Sequence, residues 1–593
     1  MHAAKQVKKV SRARAFGAAL IALCFATVLI YQNCGSVWAA EPAASHAVIR
    51  GVVTGGNGQP IRGALVTVSR GSKTVSRLSG SDGHFAIPVP AGNYRVSVTA
   101  HAFGFHSQEK TGETGHSRQL RFRLEPGIRV TSLTSTEVMS VMPDTPRSNL
   151  IQTTCFNCHG SATILKLRGS PATVWQGFLP AMAKARGSIG VNPKMIPAYS
   201  QALEEYFGPH APYFSPGAAP PKPSQIEHAS PSNAALQATI VEWKIRTSDR
   251  FAMVHSVTVD PKTGMVWFAG IDYQSNDIVS FNPRTEKFTY YPLPIPDAEP
   301  HTGAVMKDGG YIVALSHDGI AAKLAAVEHG KMVLYDWPEK TDHRAHTAKM
   351  GPNGRYVWIT AGMEVWSFDL KTHQWKAYTW PVPAAPPAGS MAAIQGHVGG
   401  FEGAGSYDLA VDRHGIVWIS LLPFGSIVRL DPRTGATKLF HTAGVRSVRG
   451  VAVDGQGNVW FGDYYGHKLG VLDTKTGIMT EYQPPTPNAT PYGVAIDPRT
   501  GDVWYADTMG NYITRFDPKT KQFAEYPEPT PNSSSRFLGV DAEGRAWYGG
   551  FFGGQLGMIN PNGGSQEAVT AYGGFKIVRS HEEVASARAA AGK

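Results

Sequence analysis

Residues 450–462 read Gly450-Val451-Ala452-Val453-Asp454-Gly455-Gln456-Gly457-Asn458-Val459-Trp460-Phe461-Gly462. A short apolar run stops at Asp454, a Gly-rich turn follows, and a second apolar run starts at Val459-Trp460, which reads as one β-hairpin. The same word returns at Val411-Asp412 to Val417-Trp418, at Ile496-Asp497 to Val503-Trp504 and at Val540-Asp541 to Ala546-Trp547. The spacing is about 44 residues, the period of a blade built from four strands. Trp267 and Trp358 mark two earlier copies, and Gly310-Tyr311-Ile312-Val313 stands between them as a copy without the Trp. Each copy then closes on a second turn and an aromatic strand, as in Phe516-Asp517-Pro518 and Phe523-Ala524-Glu525-Tyr526-Pro527. Seven copies predict a seven-bladed β-propeller over residues 236–575, with Ile240-Val241-Glu242-Trp243 supplying a closing strand from the other end.

In a propeller the residue that opens each innermost strand sits at one mouth of the central channel. Those positions read His255, His301, His346, Tyr407, Arg449, Tyr492 and Arg536. All are polar or aromatic, which predicts a polar substrate funnel at that mouth. Three adjacent histidines could hold a divalent metal or move a proton, and the two arginines could hold a carboxylate or phosphate. The turn residues Asp260, Asp412, Asp454, Asp497 and Asp541 read as structural. One repeat is longer: Ala385 to Gly405 is a Gly-rich insertion, either a lid over the funnel, a surface that meets another domain, or a plain surface loop.

Upstream, Cys155-Phe156-Asn157-Cys158-His159 has the C-x-x-C-H spacing of a covalent haem c site. Two thiols at this distance can add to the two vinyl groups of one porphyrin, and His159 follows as proximal iron ligand. The 593-residue chain has four cysteines. Cys24 and Cys34 fall in residues 1–39, where a basic start (Lys5, Lys8, Lys9, Arg12, Arg14), an apolar run and Val37-Trp38-Ala39 read as a cleaved secretory signal. The expected location is therefore periplasmic or secreted in a bacterium, with no membrane span after cleavage. Every remaining thiol then belongs to the haem motif, which argues against structural disulfides. The net charge of +11 is spread along the chain, with no basic stripe pointing to nucleic acid. Ala172 to Ala185 predicts a helix with Trp175, Phe178, Leu179 and Met182 on one face, and Ala198 to Phe207 predicts a second. Ala211 to Ser232 is Pro-rich and reads as a semi-rigid spacer.

Three resemblances follow from these words. The strands and turns of residues 45–125, with Gly58-Gln59-Pro60, Asp82-Gly83-His84-Phe85 and Pro90-Ala91-Gly92-Asn93-Tyr94, resemble the carboxypeptidase regulatory-like family, which implies a transthyretin-like β-sandwich. Residues 146–210 resemble small c-type cytochromes in the order C-x-x-C-H, Arg168, Trp175, Met182, Tyr206-Phe207. That resemblance makes Met182 the first candidate for the distal iron ligand, with Met195 its rival and His210 or an open site as further options. The propeller repeats resemble the virginiamycin B (streptogramin) lyase family, in which a metal held by a Glu-x-His pair and further carboxylates opens a lactone by elimination. Glu299-Pro300-His301 matches that pair, but the acid expected after the second strand is replaced by Ala314-Leu315-Ser316.

The expected architecture is thus mainly β and multidomain: signal (1–39), sandwich (45–125), small helical cytochrome c domain (146–210), Pro-rich linker (211–235), propeller (236–575) and tail (576–593). The first functional expectation is a haem c electron-transfer protein whose propeller binds a small-molecule substrate or a redox partner protein, with catalysis open. The alternatives are a metal-dependent carbon–oxygen lyase using Glu299 and His301, and a binding or sensor protein without catalysis. No flavin or nicotinamide fingerprint is present.

Overall fold

The computed structural model describes residues 46–563, apart from 91–94, 114–118, 157–159, 186–190, 246–252, 271–276, 297, 317–321, 339–344, 396, 399–400 and 403–404. The signal, Cys158, His159 and the tail lie outside the described residues.

The chain is mainly β. Its hairpin word works through one carboxylate: Asp454 accepts the backbone N–H groups of Gln456 and Asn458 with one oxygen, and the indole N–H of Trp460 at 3.0 Å with the other. Asp541 does the same for Trp547 at 2.7 Å. The Asp therefore shapes the turn and orients the Trp that packs between blades. The turn glycines, Gly457 and Gly544 among them, sit at φ +89° and +76°, where a side chain would be strained.

Among the described residues, six four-stranded antiparallel sheets follow one another from Val254 to Pro527. The seventh takes three strands from the far end of the chain, Gly539–Val540, Ala546–Gly549 and Gln555–Asn560. Its fourth strand is Thr239–Lys244, paired antiparallel with Gln555–Asn560. The innermost strands touch in sequence around the ring, and Gly539–Val540 returns to Val254–Val259.

Ring closure places an acid in the core. Glu242, on the closing strand, accepts from Thr530 Oγ1 at 2.7 Å and from the Tyr548 hydroxyl at 2.9 Å. Nearby, burial raises Glu528 to about 8; Glu242 and Asp507 add to that, and Ser533 and Ser535 pull against it. A carboxyl whose folded pKa lies above its ordinary value contributes stability that is present in acid and lost as pH rises through about 8. Glu528→Gln keeps the shape and removes the titration. Its unfolding free energy should match that of the parent at about pH 4 and exceed it increasingly as pH rises toward about 8, by roughly 3 kcal/mol.

The sandwich is fused to the propeller. Lys73–Leu78 pairs with Leu65–Arg70 on one side and with the closing strand Thr239–Lys244 on the other, so one sheet runs from the sandwich into the seventh blade. Val66, Phe85 and Phe122 of the sandwich share an apolar core with Trp243, Phe281 and Trp547 of the propeller. Between them lies an ion pair, Lys73 Nζ to Glu286 Oε1 at 2.5 Å, with side-chain exposures of 3% and 9%.

A helical layer spans residues 130–207. It comprises Ser135–Ser140, opened by a Thr134/Glu137 capping box, then Pro146–Leu150 running into the wider turns of Ile151–Cys155, then Ser161–Lys166, Ala172–Ala185 and Ile196–Phe207. Trp175 and Leu179 are buried and Met182 half-buried, but Phe178 is 47% exposed. It sits about 60° round the helix from Trp175, at the edge of the apolar stripe rather than in it. The Pro-rich stretch is no free spacer either: Ala211, Phe214 and Ile226 are buried, and Arg62 of the sandwich donates to the Pro231 carbonyl.

Candidate functional site

The seven ring positions come together. His255, His301, His346, Tyr407 and Tyr492 are each the second residue of an innermost strand, and Arg449 and Arg536 lie just before theirs. In the five strands that carry a His or Tyr, the register slips at that residue, as between the partners of Pro300 and Gly303 or of Ala345 and Ala348. A bulge re-aims its side chain, and here the bulges turn the rings toward one another. The His255 and His301 ring centres are 3.5 Å apart, His301 and His346 3.9 Å, and His346 and Tyr407 4.2 Å. The Tyr407 and Tyr492 hydroxyls are hydrogen-bonded.

The two arginines lie over aromatic faces. The Arg449 guanidinium is 4.1 Å from the Tyr492 ring centre, 4.2 Å from Tyr464 and 5.0 Å from Tyr407, and its Nε donates to the Tyr407 hydroxyl at 3.1 Å. Arg536 is 3.5 Å from Phe551. Burial works against the Arg449 charge, but the surrounding phenols outweigh it and hold the group cationic. Burial first, then His301 and the cations Arg536 and Arg449, push His255 well below the usual imidazole range, so it is neutral. Both His255 nitrogens and the Tyr464 hydroxyl are buried without a hydrogen-bond partner among the described residues.

The ring is closed. His255, Tyr407 and Tyr492 are 1% exposed and Arg449 4%. The cover is the helical layer: Leu133, Val138, Phe156, Leu179 and Tyr199 share one apolar cluster with Tyr407, Tyr464, Tyr492 and Phe537. Ser135 N donates to the Met509 carbonyl at 3.1 Å, and the Tyr465 hydroxyl donates to the Thr153 carbonyl at 3.2 Å. The insertion forms the helix Met391–Gln395, and Met391 joins the same cluster while its N–H donates to the Arg446 carbonyl. The longer repeat therefore meets the helical layer. A cavity of about 140 Å³ lies along this seam, between Met139 and Gln152 on one side and Met391, His467 and Met509 on the other.

Cys155 ends the Ile151–Cys155 turns, half-buried against this cluster, and Met182 and Met195 border the same cluster. The Tyr199 phenol lies close enough to Thr154 and Cys155 to be perturbed by both. The described residues thus put one thiol and two thioether sulfurs against one apolar cluster, while Cys158 and His159, which a haem c would also need, lie outside the described residues. Val174 and Phe178, one helical turn apart, add an exposed apolar face. The expected divalent metal is less well served. His301 is packed at tilted angles between two other imidazoles, and Glu299 precedes its strand at φ 48° with its carbonyl taken by Ser316 N at 3.0 Å. Among the described residues no three His, Cys, Asp or Glu side chains are grouped to hold a metal.

Tyr464, Phe537 and Phe551 belong to the site and are missed by reading strand starts alone. Tyr464 and Phe551 stand four residues after the blade tryptophans Trp460 and Trp547, a second periodic position that supplies the outer wall.

Residues 392–571 match the virginiamycin B lyase family, and residues 48–125 match the carboxypeptidase regulatory-like domain. Among solved structures, a streptogramin B lyase is 21% identical, with 56% of this chain and 99% of that one covered and a TM-score of 0.47. Virginiamycin B lyase from Staphylococcus aureus is 21% identical over 55% and 99%, at 0.46. Hydrazine synthase from Kuenenia stuttgartiensis is 12% identical over 53% and 97%, at 0.42. No curated relative matches the chain.

Proposed function

We propose that this is a haem c protein in which the lyase-like propeller is a closed binding chamber and docking platform rather than a lactone-opening enzyme. One observation carries the reading: the layer that holds Cys155 covers the ring, leaving Tyr407 and Tyr492 1% exposed. Cover over Tyr407 and Tyr492 narrows the approach for a large cyclic substrate, while His301 itself stays half-buried. Cys155 and Cys158 would hold the porphyrin covalently, with His159 and then Met182 or Met195 as iron ligands; bound haem c supplies one-electron redox chemistry. The chain's own part is to fix that segment in place. Thr153, two residues before Cys155, is tied through its carbonyl to Tyr465, and Phe156 is buried beneath.

The match of residues 392–571 favours a second reading, a metal-dependent carbon–oxygen lyase using Glu299 and His301. One experiment separates the two. Mature full-length protein from a host that attaches haem c should show one haem per chain and a low-spin spectrum when reduced. It should not open a streptogramin lactone with or without chelator. Chelator-sensitive lactone opening, lost in His301→Ala and present without haem, would replace the first reading by the second.

A further inference from the structure

Two groups in and beside the ring, His255 and the Tyr464 hydroxyl, have no hydrogen-bond partner among the described residues. A neutral imidazole has one N–H and one acceptor nitrogen, and both His255 nitrogens are buried without a partner. The Tyr464 hydroxyl is also buried without one, and the Arg449 guanidinium lies 4.2 Å from its ring centre. An orphaned buried group of this kind costs about 1–3 kcal/mol. The seven ring residues include two arginines and no acid, although the buried Asp507 carboxyl acts on Tyr464 from outside the ring.

We infer that the ring binds one small oxyanion, a carboxylate or a phosphate, between His255, Tyr464 and the guanidinium groups of Arg449 and Arg536; this rests on the reading of the ring as a closed binding chamber. The chemistry is complementary. An imidazole N–H, a phenol O–H and guanidinium N–H groups all donate, and an oxyanion offers only acceptors and a negative charge. Size follows from the cover: Phe156 and its neighbours share the cluster that includes Tyr407 and Tyr492, so the ligand is a small one. The packed histidines form the wall on one side, with the His255 and His301 ring centres 3.5 Å apart, and Phe537 and Phe551 form the other, 5.5 and 5.8 Å from His255.

Calorimetric titration of the full chain with inorganic phosphate and with acetate, at constant ionic strength and with chloride as control, tests this. One saturable site for either anion is expected, and which anion binds tells the carboxylate from the phosphate source. Tyr464→Phe should weaken binding about tenfold, the loss of a hydrogen bond to a charged group, while leaving the anion-free melting temperature unchanged or higher, because the lost hydroxyl bonds to nothing in the protein. His255→Phe should shift both quantities the same way. A merely structural role for Tyr464 would lower the melting temperature and leave affinity alone. Heat no greater than that of chloride, or parental affinity in both variants, overturns the inference. Haem content measured on the same samples keeps the two proposals apart: full haem without anion binding sinks this one alone, and anion binding without haem sinks only the haem assignment.

Discussion

Replacing Cys155 and Cys158 together by alanine should remove all haem that survives denaturing extraction, taking the haem-to-chain ratio from one to zero. Under the haem c reading the effect is all-or-none, because thioether attachment is covalent and Cys155 and Cys158 are the only cysteines after Cys34. A structural consequence should accompany it. Val174 and Phe178 present an apolar face to solvent, and Met182 and Met195 border the cluster only in part, surface that a covalent haem would cover under the proposed reading. In the double variant that layer should unfold first, seen as early protease cleavage between residues 130 and 210 while the propeller resists. A chain that holds extractable, stoichiometric haem after the double replacement would show that another site binds it.

The second large effect is expected at Lys73. Its ammonium and the Glu286 carboxylate are both buried where the sandwich sheet meets the first blade, and the ammonium also lies 5.5 Å from the Trp243 ring centre. Burial lowers the Lys73 pKa, and Glu286 offsets this only in part. Lys73→Ala leaves Glu286 charged and alone in that interface, at a cost of about 3–5 kcal/mol. The double replacement Lys73→Met, Glu286→Leu removes both charges and should recover most of the loss, within about 1 kcal/mol of the parent. Denaturant unfolding followed through tryptophan fluorescence measures both, since Trp243 and Trp547 stack 5.8 Å apart in the affected core. A single variant as stable as the parent would mean that the sandwich and propeller fold as independent bodies.

The propeller and its ring are legible in the chain because each blade repeats the same local chemistry. Asp454 shapes its own turn and fixes its own Trp460 within six residues, and the copies put every ring residue at the same offset from such a turn. Phe178 is harder to place, because helical spacing gives a stripe but not its width. Glu299-Pro300-His301 reads as a ligand pair from spacing alone, whereas the imidazole of His301 is packed between two others.

Local spacing by itself determined the strands, the turns, the seven copies, the ring membership and the C-x-x-C-H word, since each depends on residues close together along the chain. Only the tertiary structure decided what covers the ring and what fastens the sandwich. Lys73 and Glu286 are 213 residues apart, and Tyr465 reaches Thr153 across 312. Such contacts form only after blades and helices have packed, when polar groups such as His255 and Tyr407 become buried.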